Sequence, residues 1–193
     1  MSEAVVFQSS VESLKRATEG KLSPAAVAHL RSIGFDFSKP LLSAYPLGEW
    51  ERATEVAVAE LFPTLPTNEA RAALGREFMG GFAQTTIGKA MVILARAIGV
   101  RRTLSRMRRN MRNGNNYTET ELQERGKGHV VLITRMRPEF LPVWSGKASP
   151  LIEQFVGVLQ GALKMLDAKE ASVTLALYDR NKREASYEIR WRE

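Results

Sequence analysis

The sequence has no cysteine. That excludes disulfides and thiolate metal ligands, although it fixes no compartment by itself. Histidine is nearly absent too: His29 and His129 lie far apart, neither beside a second ligand, so no metal site is expected. No apolar run reaches the roughly 20 residues that a membrane span requires. The opening "MSEAVVFQSSVESLKRATEGK" has early acids and lacks the basic start and apolar stretch of a secretory signal, so the expected location is the cytoplasm. Catalytic patterns are missing as well. "GREFMGG" and "GKG" match neither a phosphate loop nor a dinucleotide fingerprint, and no serine sits in a nucleophile elbow. Asp36 in "GFDFSKP" reads as a turn cap. A non-enzymatic protein without a cofactor is the expectation.

A local absence says more. From Phe78 to Thr118 there is no Asp or Glu, yet Lys89, Arg96, Arg101, Arg102, Arg106, Arg108, Arg109 and Arg112 all fall there. These are eight of 28 basic residues, and the remaining 20 face 21 acidic ones, so the net charge of +7 is concentrated in one segment. A nucleic-acid binder with charge spread over a whole face would look different.

What is present begins with helices. "AVVFQSSVESLKRATEG" spaces Val6, Phe7, Val11 and Leu14 helically, and "LSPAAVAHLRSIG" has Ser23 as N-cap, Pro24 in the first turn and Gly34 beyond the end. "FDFSKPLLSAYPLGEW" reads as a loop with docked aromatics, followed by a helix closed by Pro63. Residues 67 to 98 form a long helical region with Thr67 as N-cap. Gly75, Gly80, Gly81 and Gly88 each cost about 1 kcal/mol there relative to alanine. Close approach of another backbone is the usual compensation, and a break near Gly80–Gly81 is the alternative. "GHVVLITRMR" reads as a strand, "SPLIEQFVGVLQGALKMLDA" as a helix capped by Ser149 with Pro150 next, and "ASVTLALYD" with "ASYEIRWRE" as an antiparallel hairpin. The expected class is α+β, one domain over 1–193, with a helical part over 1–64.

Residues 101 to 112 form an amphipathic helix. Leu104, Met107 and Met111 gather on one stripe, while Arg101, Arg102, Arg106, Arg108, Arg109 and Arg112 fan across the remainder, with Gly114 as a left-handed stop. Solvated helices ordinarily mix signs, since like charges at helical spacing repel. The counter-charge is either internal, from Glu49, Glu51, Glu55 or Glu60, or external. External candidates are an acidic protein partner, an anionic or phosphate-bearing ligand, nucleic acid or an anionic membrane. The aromatics usual in single-strand binding are missing apart from Tyr117. A second candidate site is an apolar pocket at Phe35, Phe37, Tyr45 and Trp50, and the competing reading has them cover the core. A third is self-association, as a homodimer, through the face bearing Gly157 and Gly161.

Two resemblances add to this. "GFDFSKPLLSAYPLGEW", "LGREFMGGFAQTTIGKA", "RRTLSRMRRNMRNGNNYTE" and the terminal "YEIRW" resemble an uncharacterised family of myxobacterial proteins, which implies no activity. "LGREF", "GFAQTTIGKA", "FVGVLQGAL" and the hairpin, over residues 65 to 193, resemble a wider group of ligand-binding domains. It joins the haem nitric-oxide-binding domain, the vinyl-reductase-type domain and subunits of the vesicle-tethering transport particle. That resemblance implies helices packed over an antiparallel sheet, binding a small molecule, a lipid chain or a partner subunit. Haem-binding members use an axial histidine in the middle helical region, where this chain has none, and the cysteines of other members are absent. The implied cofactor chemistry is therefore lost, and an apolar-ligand or protein-interaction role survives. The leading expectation is a cytoplasmic regulatory module whose arginine helix engages an acidic partner or anionic ligand. A nucleic-acid-binding regulator and a sensor of a small apolar molecule are the alternatives.

Overall fold

The computed structural model describes residues 3–143 and 151–192, so Ser149 and Pro150 lie outside the described residues. Val5–Phe7 form a short strand, β1, paired antiparallel with Ala44–Pro46, β2, so that Val6 faces Tyr45. The first helix, α1 (Gln8–Thr18), therefore starts later than its apolar spacing predicts: Val6 and Phe7 have a strand partner inside what reads as a loop. α2 (Pro24–Ser32) has its expected frame, because the Ser23 hydroxyl accepts from the Ala26 amide at 3.2 Å and Gly34 takes a φ of 94°. α3 (Leu47–Leu61) follows β2 directly.

α4 (Thr67–Gln84) runs unbroken through Gly80–Gly81, with Pro66 rather than Thr67 at its cap position. The break falls at Thr85, whose hydroxyl donates to the Phe82 carbonyl and accepts from the Gly88 amide. A Cβ on Gly88 would lie 1.8 Å from the Phe82 oxygen, so only glycine fits this corner. α5 (Thr86–Met111) leaves at 98° to α4 and kinks at Gly99, where φ 80° and ψ 171° demand glycine. Among the described residues no single helix is long and apolar enough to cross a membrane.

The costly glycines are explained by helix contact within the chain. Added Cβ atoms would meet Gln154 O at 2.0 Å from Gly75, Ser13 O at 2.2 Å from Gly81, and Ala72 O at 1.8 Å from Gly157. α4 is thus clasped between α1 and α6 (Leu151–Met165) at backbone contact distance. Gly161 lies against Met79 in the same seam. The face expected to support self-association is already filled by the chain's own α4.

The strands β3 (Thr118–Gly126), β4 (His129–Met136), β5 (Lys169–Asp179) and β6 (Glu184–Arg192) form an antiparallel sheet in the order β3-β4-β6-β5. The C-terminal hairpin is the expected one, whereas β3 goes unrecognised in the sequence as an edge strand with few buried positions. β5 slips register between Leu175 and Leu177, which leaves Leu177 exposed and sets Tyr178 opposite Ala185. Two cores result. Leu14, Phe35, Tyr45, Trp50 and Leu74 anchor one among α1 to α4. Leu132, Leu159, Leu163, Tyr187 and Ile189 anchor the other between α6 and the sheet.

Candidate functional site

Between the two cores lies an apolar cavity of about 1200 Å³. Its walls come from α1, α4, α5, α6 and the sheet. The composition of the lining is distinctive. The chain has seven methionines, and all six among the described residues line this space: Met79, Met91, Met107, Met111, Met136 and Met165. Thioether side chains are unbranched and polarisable, so a wall of them adapts to an irregular apolar guest. Phe78, Phe82, Phe155 and Val158 complete it.

α5 covers this space without filling it. Ile87 and Leu94, one helical heptad apart on the cavity wall, remain 64% and 52% exposed. This apolar stripe of α5 therefore faces open volume. Burying a side chain of this size is worth about 1.5–3 kcal/mol, and here the chain's own packing leaves most of it unrealised.

The far end of α5 brings charge to the same cavity. Arg106 and Arg112 line it and are exposed. Of the arginine helix only Arg101 has a carboxylate partner among the described residues: it pairs with Glu124 of β3, and that bond holds the Glu124 carboxyl below its usual range. Arg102, Arg106 and Arg112 have none among the described residues. The side chains of Arg108 and Arg109 lie outside the described residues. Three of the four internal acids proposed as counter-charges are engaged elsewhere: Glu49 with Arg52, Glu55 with Arg71, and Glu60 with the Ser23 amide. Arg135, also on the cavity wall, is held by Glu121 and Glu184.

The asparagine–glycine turn after the arginine helix is structural. The Phe7 amide donates to the Gly114 carbonyl at 2.9 Å, the Val5 amide to Asn116 Oδ1 at 2.8 Å, and the Ser9 hydroxyl to the Asn113 carbonyl. Gly114 has no positive φ, so the expected left-handed stop is replaced by this tie to β1. The turn fixes the C-terminal end of α5 at the cavity's edge.

The aromatic residues expected to wall a pocket instead fill one. Phe35 stacks on Tyr45 with centroids 4.7 Å apart and lies 6.2 Å from Trp50, and all three are buried. Phe37 meets Phe35 edge-on. Of the four only Trp50 reaches the cavity. The residues missed by sequence reasoning are the methionines. Four of the six (Met79, Met91, Met107 and Met111) fall inside the acid-free stretch, a coincidence that is legible in retrospect.

The chain resembles known structures throughout its length. An oxygen-binding H-NOX domain related to soluble guanylate cyclases is similar with a TM-score of 0.65 at 14% identity, over 96% of this chain and 92% of that one. A structure described as giving insight into H-NOX activation gives 0.61 at 16% identity, over 96% and 94%. An Fe(II) unliganded H-NOX mutant from K. algicida gives 0.57 at 12% identity, over 97% of both chains. At these identities the likeness shows the fold: H-NOX-like α+β. It extends well beyond the residues 65 to 193 expected from the sequence. No curated protein matches the chain. The family model described as protein of unknown function (DUF2378) matches residues 4–192.

A haem is the group that such a fold implies, and the donors on this cavity do not fit one. Neither histidine lines it: His29 is exposed on α2, and His129 sits on β4 with Nε2 3.5 Å from Glu188. Tyr117 and Tyr187 do line it, but burial pushes both phenols well above their usual range, away from the phenolate a metal would need. The lining offers thioethers, hydroxyls, amides, guanidinium groups and carbon in place of an imidazole or thiolate.

Proposed function

The chain belongs to the DUF2378 family, and from that premise we propose that it is a ligand sensor whose central cavity takes a bulky apolar molecule in place of a haem. The supporting observation is the cavity itself: about 1200 Å³, walled by six methionines, with Ile87 and Leu94 left uncovered. That volume slightly exceeds the roughly 300–1,000 Å³ usual for ligand sites. An occupant would cover the inner stripe of α5, and α5 also presents Arg102 outward. Occupancy and the cationic surface thus share one helix, which gives a route from ligand to an acidic partner.

Titration with the polarity-sensitive dye N-phenyl-1-naphthylamine tests this. Saturable binding at one equivalent is expected. Ala162→Trp, which projects an indole into the cavity from α6, is expected to weaken it at least about tenfold while thermal unfolding stays cooperative. Dye binding that is unsaturable, or indifferent to the tryptophan, contradicts the reading.

A further inference from the structure

Four guanidinium groups, those of Arg106, Arg112, Arg135 and Arg183, and six thioethers share one cavity. Arg106 and Arg112 reach its lining from the C-terminal end of α5, while Met91 and the uncovered Ile87 and Leu94 reach it from the N-terminal half. Arg106 and Arg112 differ from the other cations nearby. Arg135 on the same wall is bound by two carboxylates, Arg183 on it is engaged as well, and Arg101 is off the wall and paired with Glu124. Arg106 and Arg112 have no carboxylate partner among the described residues, and the stretch from Phe78 to Thr118 contains no acid that would supply one locally. The serine hydroxyls at this edge are committed to the turn, Ser9 to the Asn113 carbonyl and Ser10 to the Gly114 carbonyl. The site is therefore apolar along most of its length and cationic, with unspent donors, at one end.

Resting on the reading that the cavity holds a ligand, we propose that this ligand is an amphiphile: a long apolar body along α5 and α6, and an anionic carboxylate or phosphate head on Arg106 and Arg112. The guanidinium fork matches both oxyanions bidentately. A neutral apolar molecule leaves the two cations unused. An acidic peptide leaves the apolar volume unused. Only a molecule with both parts meets everything that lines the space.

Displacement of the naphthylamine dye from the full chain, with each competitor below its micelle concentration, provides the test. Oleate and oleoyl lysophosphatidate supply the two anionic heads, and oleyl alcohol supplies the same chain without charge. The expected result is displacement by an anionic competitor at a concentration at least about tenfold lower than by the alcohol; the better anion identifies the head. R106Q combined with R112Q is expected to erase that preference, and Arg102→Gln, on the same helix but off the cavity wall, to preserve it. Equal displacement by alcohol and anions overturns the head-group assignment and leaves the apolar site standing. Oleate binding that survives Ala162→Trp places the anion on the outer surface and overturns the proposal. Absence of saturable dye binding in the unsubstituted chain overturns the cavity reading beneath it.

Discussion

At the scale of single residues, this chain uses glycine for contact more than for turns. Gly157 has a carbonyl 1.8 Å from where its Cβ would stand, and the obstacle is backbone, which cannot swing aside. Gly157→Ala is expected to cost about 3 kcal/mol or to prevent folding altogether, read from urea denaturation. Gly80 makes the contrast: it lies in α4 with open space around it. Gly80→Ala is expected to raise stability by about 0.5–1 kcal/mol, by helix propensity alone. Sequence spacing shows both residues as helix-weakening and does not tell them apart, because the neighbour that decides is some 85 residues away in the chain. Charge behaves locally too. The Arg101 hydrogen bond keeps the Glu124 carboxyl below the ordinary 4.5. The ion pair's contribution is therefore complete above that ordinary value and is lost as pH falls through the lowered one. Carboxyl NMR titration is expected to show a Glu124 midpoint below 4.5, returning towards the ordinary value in Arg101→Gln.

At the scale of elements, legibility follows how local the determinants are. α2 carries its own cap, first-turn proline and terminal glycine, and the C-terminal hairpin carries its own alternation, so both were readable from residues alone. β1 has three residues and exists because β2 pairs with it across a loop. β3 is an edge strand whose pattern shows Thr120 as a buried position amid charged neighbours, so its signal is weak. α5 is the element with the least settled packing. Its first half presents apolar side chains to open volume, between corners at Thr85 and Gly99. Hydrogen exchange across residues 86 to 98 is expected to be fast in the empty protein and to slow at least about tenfold when the dye is bound. Unchanged exchange there would mean that α5 is not the ligand's cover. Gly99→Ala forces a side chain into a backbone conformation that glycine alone takes readily. It is expected to cost about 1–3 kcal/mol in thermal or urea unfolding.

At the scale of the molecule, two features that the sequence keeps separate become one site. The arginine run was visible from composition. The cavity was not, because its walls are drawn from segments between Val6 and Tyr187 and no single stretch announces them. The aromatics suggested a separate pocket, but Phe35 stacks on Tyr45 and tilts against Trp50, so these rings fill the space between them and only Trp50 borders the cavity. The nucleic-acid reading of the arginine helix loses its stacking platform, since Tyr117 is buried. A gel shift at about 50 mM salt is accordingly expected to show no complex with DNA or RNA. The most direct test of the central claim uses the methionines themselves. In a spectrum of the chain labelled at its methionine methyl groups, one equivalent of N-phenyl-1-naphthylamine is expected to shift the signals of Met79, Met91, Met107, Met111, Met136 and Met165 together. Six signals that stay put while the dye is present in excess would show that these side chains do not surround a ligand site.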